Sequence, residues 1–182
     1  MKIKLILWSY KMGSIGKFIT TVLIFCGLVC VGSCVKGDEN ATYQQQEDEI
    51  FEYVEFNRDS DCIEYDGGVW RIINQAGSGT DVVVRGSKVR IDYSLHIFSL
   101  SGGIGDPIMT NIGVAGVDGE WFTIGKKELL AGLDIGIVGA KLNEECEILF
   151  SARHGYGNKQ IGVVKKMSPL LVHVKIKEIR ND

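Results

Sequence analysis

An antiparallel sheet wrapped around one short helix, an α+β fold, is what the chain predicts. Several segments alternate apolar and polar residues with a period of two, one leucine-rich stretch between them keeps helical spacing, and glycine-rich turns separate the pieces. At 182 residues the chain has room for one domain with a true core plus extensions, and is short for two. A pI of 5.7 and a formal charge of -3 argue against a nucleic-acid partner, which would call for a basic stripe to neutralise phosphates.

At the N-terminus, Lys2, Lys4, Lys11 and Lys17 precede an apolar run from Phe18 to Gly32 that ends in Val31-Gly32-Ser33-Cys34. A basic end, an apolar stretch and small residues at a cleavage point are the layout of an export signal, and the cysteine directly after them resembles a bacterial lipobox. Residues 1–33 are then a lipoprotein signal peptide. Cys34 is lipidated and becomes the first residue of a mature protein anchored to a membrane of the cell envelope, facing the periplasm or the exterior. Met12 stands equally open as the start. An uncleaved anchor is the alternative, since the run approaches the ~17 residues of a spanning helix. Without the four lysines, 16 basic side chains face 23 acidic ones, a net charge of -7.

Residues 34–64 read as an acidic tether, with Gln44-Gln45-Gln46 followed by Glu47, Asp48 and Glu49. Ile50, Phe51 and Val54 fall at helical spacing, so a short amphipathic helix is expected there, its polar residues forming a solvated face. The domain proper is expected over residues 65–182. Val69 to Ile73 is β-branched and aromatic and stops at Ala76-Gly77-Ser78-Gly79. In the next strand Val89, Ile91, Tyr93, Leu95 and Ile97 share one face, and Arg90, Asp92, Ser94 and His96 the other. From Lys126 to Leu133, Leu129, Leu130 and Leu133 mark the helix, closed by glycine-rich sequence. Cys146, Ile148 and Phe150, then Leu170, Val172, Val174 and Ile176, give two further strands with one apolar face each. The sheet is expected to keep one dry face, under the helix, and one wet face.

Four stretches carry a more specific resemblance. They are Gly86-Ser87-Lys88-Val89-Arg90-Ile91-Asp92-Tyr93, the run from Glu120-Trp121-Phe122 through Gly125 to Leu133, Arg153-His154-Gly155-Tyr156-Gly157, and Pro169 to Ile176. In this order they resemble the FKBP family, one class of peptidyl-prolyl cis-trans isomerases, over roughly residues 67 to 179. The resemblance implies an FKBP-like fold and a pocket for proline-containing polypeptides. Tyr93, Phe122, Leu130 and Tyr156 would be its catalytic residues, Leu130 through its backbone N–H. Ile108, Leu129, Leu133 and Val172 would bind substrate. No cofactor and no metal are implied. Leu133 and Val172 stand where the family often has tryptophan and phenylalanine, which implies a wider or shallower slot.

The family's phenylalanine-aspartate pair, whose carboxylate enters the pocket, aligns with Ile108 and Met109, so that acid is expected to be missing, with Asp106 as the nearest substitute. Val163-Val164-Lys165-Lys166 also departs from the usual flexible loop. An isomerase assisting the folding of exported proteins is the first expectation. A binding module of the envelope that has lost the pocket acid is the alternative, and a purely structural envelope protein the third.

Other chemistry finds little support in the residues. His96, His154 and His173 lack Cys or acid partners at metal-ligand spacing. No hydrolase triad is legible, and Gly102-Gly103-Ile104-Gly105 lacks the lysine-serine ending and the helix of a phosphate cradle. Of the cysteines that would remain after processing, Cys62 and Cys146 are free to pair or to stay as small apolar fillers.

Overall fold

The structure, a computed structural model, describes residues 34–57, 63–99, 101, 103–113 and 119–181. The expected signal peptide and Cys62 lie outside the described residues. Residues 41–182 form one compact unit, and of residues 1–40 the described part is the start of the first helix.

In chain order the elements are α1 (Cys34–Asn57), β1 (Ile63–Asp66), β2 (Val69–Gln75), β3 (Ser78–Val82), β4 (Lys88–Ser99), β5 (Gly103–Ile104), β6 (Met109–Thr110) and β7 (Glu120–Thr123). Then come α2 (Ala131–Gly136), β8 (Lys141–Leu142), β9 (Glu145–Phe150), a 3-10 turn (Ala152–His154) and β10 (Leu170–Arg180). The main sheet is antiparallel in the order β1-β2-β9-β10-β4-β5, and β3 pairs with β8 beside it. Each long strand follows the expected alternation. Val89, Ile91 and Leu95 on β4, Ile148 and Phe150 on β9, and Leu170, Val172, Val174 and Ile176 on β10 are buried together with Leu133 and Ile137 from the α2 region.

The long strand β4 decides where a pocket can form. One edge runs against β10 along nearly its whole length. Its other edge is shared by three short strands in succession: β7 pairs with residues 88–91, β6 with 94–95 and β5 with 98–99. Between β7 and β6 the ladder is open at Tyr93. Asn111 fills the opening, its Oδ1 accepting from the Tyr93 N–H at 2.7 Å and its Nδ2 donating to the Ile91 carbonyl at 2.9 Å. Only 3% of Asn111 is exposed, so a side chain completes the backbone ladder where no strand of the described residues does.

Three expectations need correction. The helix is displaced toward the C-terminus: Lys126 to Leu130 form a turn, and α2 begins at Ala131. Lys127, with φ of 61°, and Gly125, with φ of 84°, turn the chain there in left-handed conformations. Gly132 lies inside α2, and Gly136 is its last residue. A Cβ on Gly132 would stand 2.2 Å from the Phe150 ring and one on Gly136 2.4 Å from Ile148, so the two glycines, one turn apart, let α2 lie flush on β9.

The second correction concerns the tether. The helix expected within it is present but longer, 24 residues, and from Ala41 onward it packs on the sheet. Ile50 and Val54 are buried with Ile72, Phe98, Leu149 and Leu171, and the Tyr53 ring meets Phe98 edge-on at 5.1 Å. The face of the sheet opposite α2 is therefore covered at one end rather than wet throughout.

The polar residues of α1 are the third, because they do more than face solvent. Gln46, 7% exposed, donates to the Met167 carbonyl at 2.6 Å and accepts from the Ala152 N–H at 2.9 Å. Glu47 accepts from the Ser151 hydroxyl at 3.1 Å and pairs with Arg153 at 3.3 Å. Alternation could not reveal these contacts, because the partners lie more than a hundred residues away.

Candidate active site

A pocket of about 310 Å³ opens between the inner face of the sheet and the entry to α2, lined by Tyr93, Leu95, Met109, Glu120, Phe122, Glu128, Leu129, Leu130, Leu133, Tyr156 and Val172. Strand register accounts for the composition. Val172 and Met109 both pair with Leu95, while Phe122 pairs with Val89 and Glu120 with Ile91, so their side chains share the face on which Tyr93 stands. The turn after β7 then returns the chain with Leu129, Leu130 and Leu133 over that face. One continuous segment, 120–133, thus contributes six of the lining residues.

Seven of the eight expected pocket residues are brought together. Ile108 is the exception: it packs against the core cluster, and the neighbouring Met109, held opposite Leu95 by β6, takes the lining position. The Tyr93 and Phe122 rings meet edge-on, centroids 6.3 Å apart at 69°. Leu130 precedes α2 with φ -59° and ψ 145°, and among the described residues no acceptor takes its backbone N–H, which leaves that donor for a ligand.

Tyr156 is held from below. The Gly157 N–H donates to the Ala152 carbonyl at 2.8 Å and the Met167 N–H to the Gly157 carbonyl at 2.9 Å. Gln46 of α1 binds at both Ala152 and Met167, so the N-terminal helix fastens the turn that carries this tyrosine.

The carboxylate expected to be missing is supplied by another strand. Asp106 is exposed and does not line the pocket, whereas Glu120 does, beside Tyr93. Burial first, then the nearby Glu120 carboxylate and the neighbouring Tyr156, push the Tyr93 phenol above its ordinary value of 10.0. Tyr93 therefore stands as a neutral donor at the pocket wall. A second carboxylate, Glu128, lines the rim and accepts the Thr123 N–H at 2.7 Å, bracing the turn at its base.

Sequence reasoning missed Glu120, Glu128, Leu95, Met109, Asn111 and Gln46. The signal for Glu120 was present, because period-two alternation puts it on the same face as Phe122. Asn111 and Gln46 carried none.

A curled antiparallel sheet with a short helix, and an apolar pocket between them, define an FKBP-like domain. Residues 79–177 match the family described as FKBP-type peptidyl-prolyl cis-trans isomerase, more than half of the chain, and the protein belongs to that family. It is 25% identical over 114 residues to FK506-binding protein 1A of Neurospora crassa, a stretch covering 59% of this chain and 85% of that protein. To human peptidyl-prolyl cis-trans isomerase FKBP14 it is 34% identical over 61 residues, 34% of this chain and only 29% of the relative's length.

Among solved structures, a peptidyl-prolyl cis-trans isomerase of Pseudomonas syringae superposes with a TM-score of 0.57 at 12% identity, covering 78% of this chain and 96% of that one. FkpA of Escherichia coli superposes with a TM-score of 0.53 at 15% identity, covering 93% and 74%. At such identities these two show the fold.

Proposed function

We propose that the protein is a peptidyl-prolyl cis-trans isomerase that accelerates the folding of exported polypeptides, held to a membrane of the cell envelope by lipid on Cys34. The observation that carries the activity is the largely apolar pocket that Tyr93, Phe122, Tyr156 and Leu130 line together, with no acceptor for the Leu130 N–H among the described residues. An X-Pro bond crosses a barrier of about 18–20 kcal/mol because rotation destroys amide resonance, and it takes tens to hundreds of seconds unaided. The twisted amide has lost much of its resonance dipole. An apolar pocket that strips water from the planar form disfavours it relative to the twisted one, while the Leu130 N–H holds a substrate carbonyl in register. Only interactions stronger in the twisted state lower the barrier, and this site needs no covalent step to provide them.

The test is conversion of a short X-Pro peptide from cis to trans, followed by NMR exchange, with Phe122→Ala alongside. Acceleration that the variant loses supports the isomerase. A flat result from folded protein leaves the second reading, a binding module, which the absence of a carboxylate at positions 108 and 109 favours and the presence of Glu120 opposes. Envelope anchoring rests on the basic and apolar residues before Cys34 and on the acidic character of the residues after it. Metabolic labelling with a fatty-acid analogue, abolished by Cys34→Ser, is its expected result, and unchanged labelling would exclude that residue.

A further inference from the structure

The pocket combines an apolar interior with a rim of one sign. Of its lining residues only Glu120 and Glu128 are charged, and among the described residues no lysine or arginine lines it. Both glutamates are exposed although they line the cavity, which puts their charge at the mouth, where the chain flanking a seated proline must leave. They sit at the two ends of the same turn-forming segment, and Glu128 is already held by the Thr123 N–H, so it does not have to be ordered when a ligand arrives. Lys126 and Lys127, on the intervening turn, are exposed and do not line the pocket.

We propose that this rim selects prolyl segments that carry a lysine or arginine next to the proline, and disfavours those with an acidic neighbour. The proposal rests on the isomerase reading for its substrate class, while the charge selection itself is a property of the pocket. An apolar floor takes the proline ring whatever its neighbours are. The rim then discriminates by the charge of the adjacent side chain, through attraction in one case and like-charge repulsion in the other.

The experiment uses the folded chain and peptides with Lys, Ala or Glu on either side of one proline. It measures catalysed exchange and, in parallel, binding by chemical-shift perturbation. Expected is a Lys-over-Ala preference of about fivefold at one of the two positions, the size of one exposed ion pair, with a larger Lys-over-Glu ratio. That preference should shrink in about 0.5 M salt and in Glu128→Gln, and shrink further in Glu120→Gln/Glu128→Gln. A purely structural role for the two glutamates would lower all three peptides alike and leave their ratio unmoved.

Equal kcat/KM and equal affinity for the Lys and Glu peptides at both positions would overturn the inference while leaving the isomerase intact. Charge-selective binding without catalysis would sustain the inference and overturn the isomerase reading.

Discussion

Replacing Asn111 by alanine tests whether the pocket depends on one side chain standing in for a missing strand. Asn111 is almost wholly buried and satisfies two main-chain groups of β4, the Tyr93 N–H at 2.7 Å and the Ile91 carbonyl at 2.9 Å. Asn111→Ala leaves both without a partner inside the sheet. An unsatisfied buried polar group costs about 1–3 kcal/mol, so the pair spans about 2–6 kcal/mol. The neighbouring Ile112 and Gly113 are exposed, so water gains partial access and the lower half of that range, about 2–4 kcal/mol, is expected.

Against a total stability of about 5–15 kcal/mol, this is a large fraction and is readily measured by urea unfolding. The local readout is hydrogen exchange at the Tyr93 amide, which should lose protection beyond what the global loss predicts. A second consequence belongs to the proposed isomerase activity: Asn111 holds the backbone that carries Tyr93, so any catalysed exchange should fall in Asn111→Ala. A destabilisation under about 0.5 kcal/mol with Tyr93 exchange unchanged would refute the reasoning, because it would mean that these groups find other partners.

The same packing sets further outcomes. Gly132→Ala should cost about 2–3 kcal/mol by driving a methyl into the Phe150 ring, and a thermal melt within a degree of the parent would contradict the flush seating of α2. Arg71 is 2% exposed, donates to the Gly136 and Val138 carbonyls and faces Glu144, whose carboxyl burial pushes up although Arg71 pulls it down. Arg71→Leu should therefore cost about 3–5 kcal/mol by urea unfolding, with part regained in Arg71→Leu/Glu144→Leu, where no buried charge is left alone. Burial lowers the pKa of His154 below 6.5, against the opposing pull of Glu47. The unfolded chain then binds the extra proton first, so this contribution to stability is present above pH 6.5 and is lost as pH falls through the folded value. Subtracting the His154→Gln curve from the parent's between about pH 8 and 5 should show a loss on acidification, and a flat difference would remove His154 from the account. The Cys146 thiol, buried and pushed up to about 12, should resist iodoacetamide in the folded protein and react on unfolding, as peptide mapping would show.

Alternation alone fixed much of this protein. Period two along 88–98, 145–150 and 170–176 assigned inner faces because a residue on a pleated strand has only two directions to point. The order of the resembling stretches then placed Tyr93, Phe122, Leu129, Leu130, Leu133, Tyr156 and Val172 around one pocket. Where α2 begins was not legible, since leucines at 129, 130 and 133 satisfy helical spacing whether or not the chain is helical there. The left-handed residues at 125 and 127 delay it.

What only the tertiary structure decided was set by partners distant in sequence. Glu120 brings a carboxylate to a pocket whose acid was expected to be missing, because β7 is paired beside Ile91. Asn111 completes a ladder eighteen residues away, and Gln46 fastens the Tyr156 turn across more than a hundred. The helix α1 covers a face that alternation leaves exposed, because Ile50 and Val54 meet Leu149 and Leu171 only once the sheet has closed. Local sequence determines which way a side chain points from its own backbone. Which group stands opposite it is determined by register and packing between segments, and in this protein those pairings set the charge and the hydrogen bonding of the pocket.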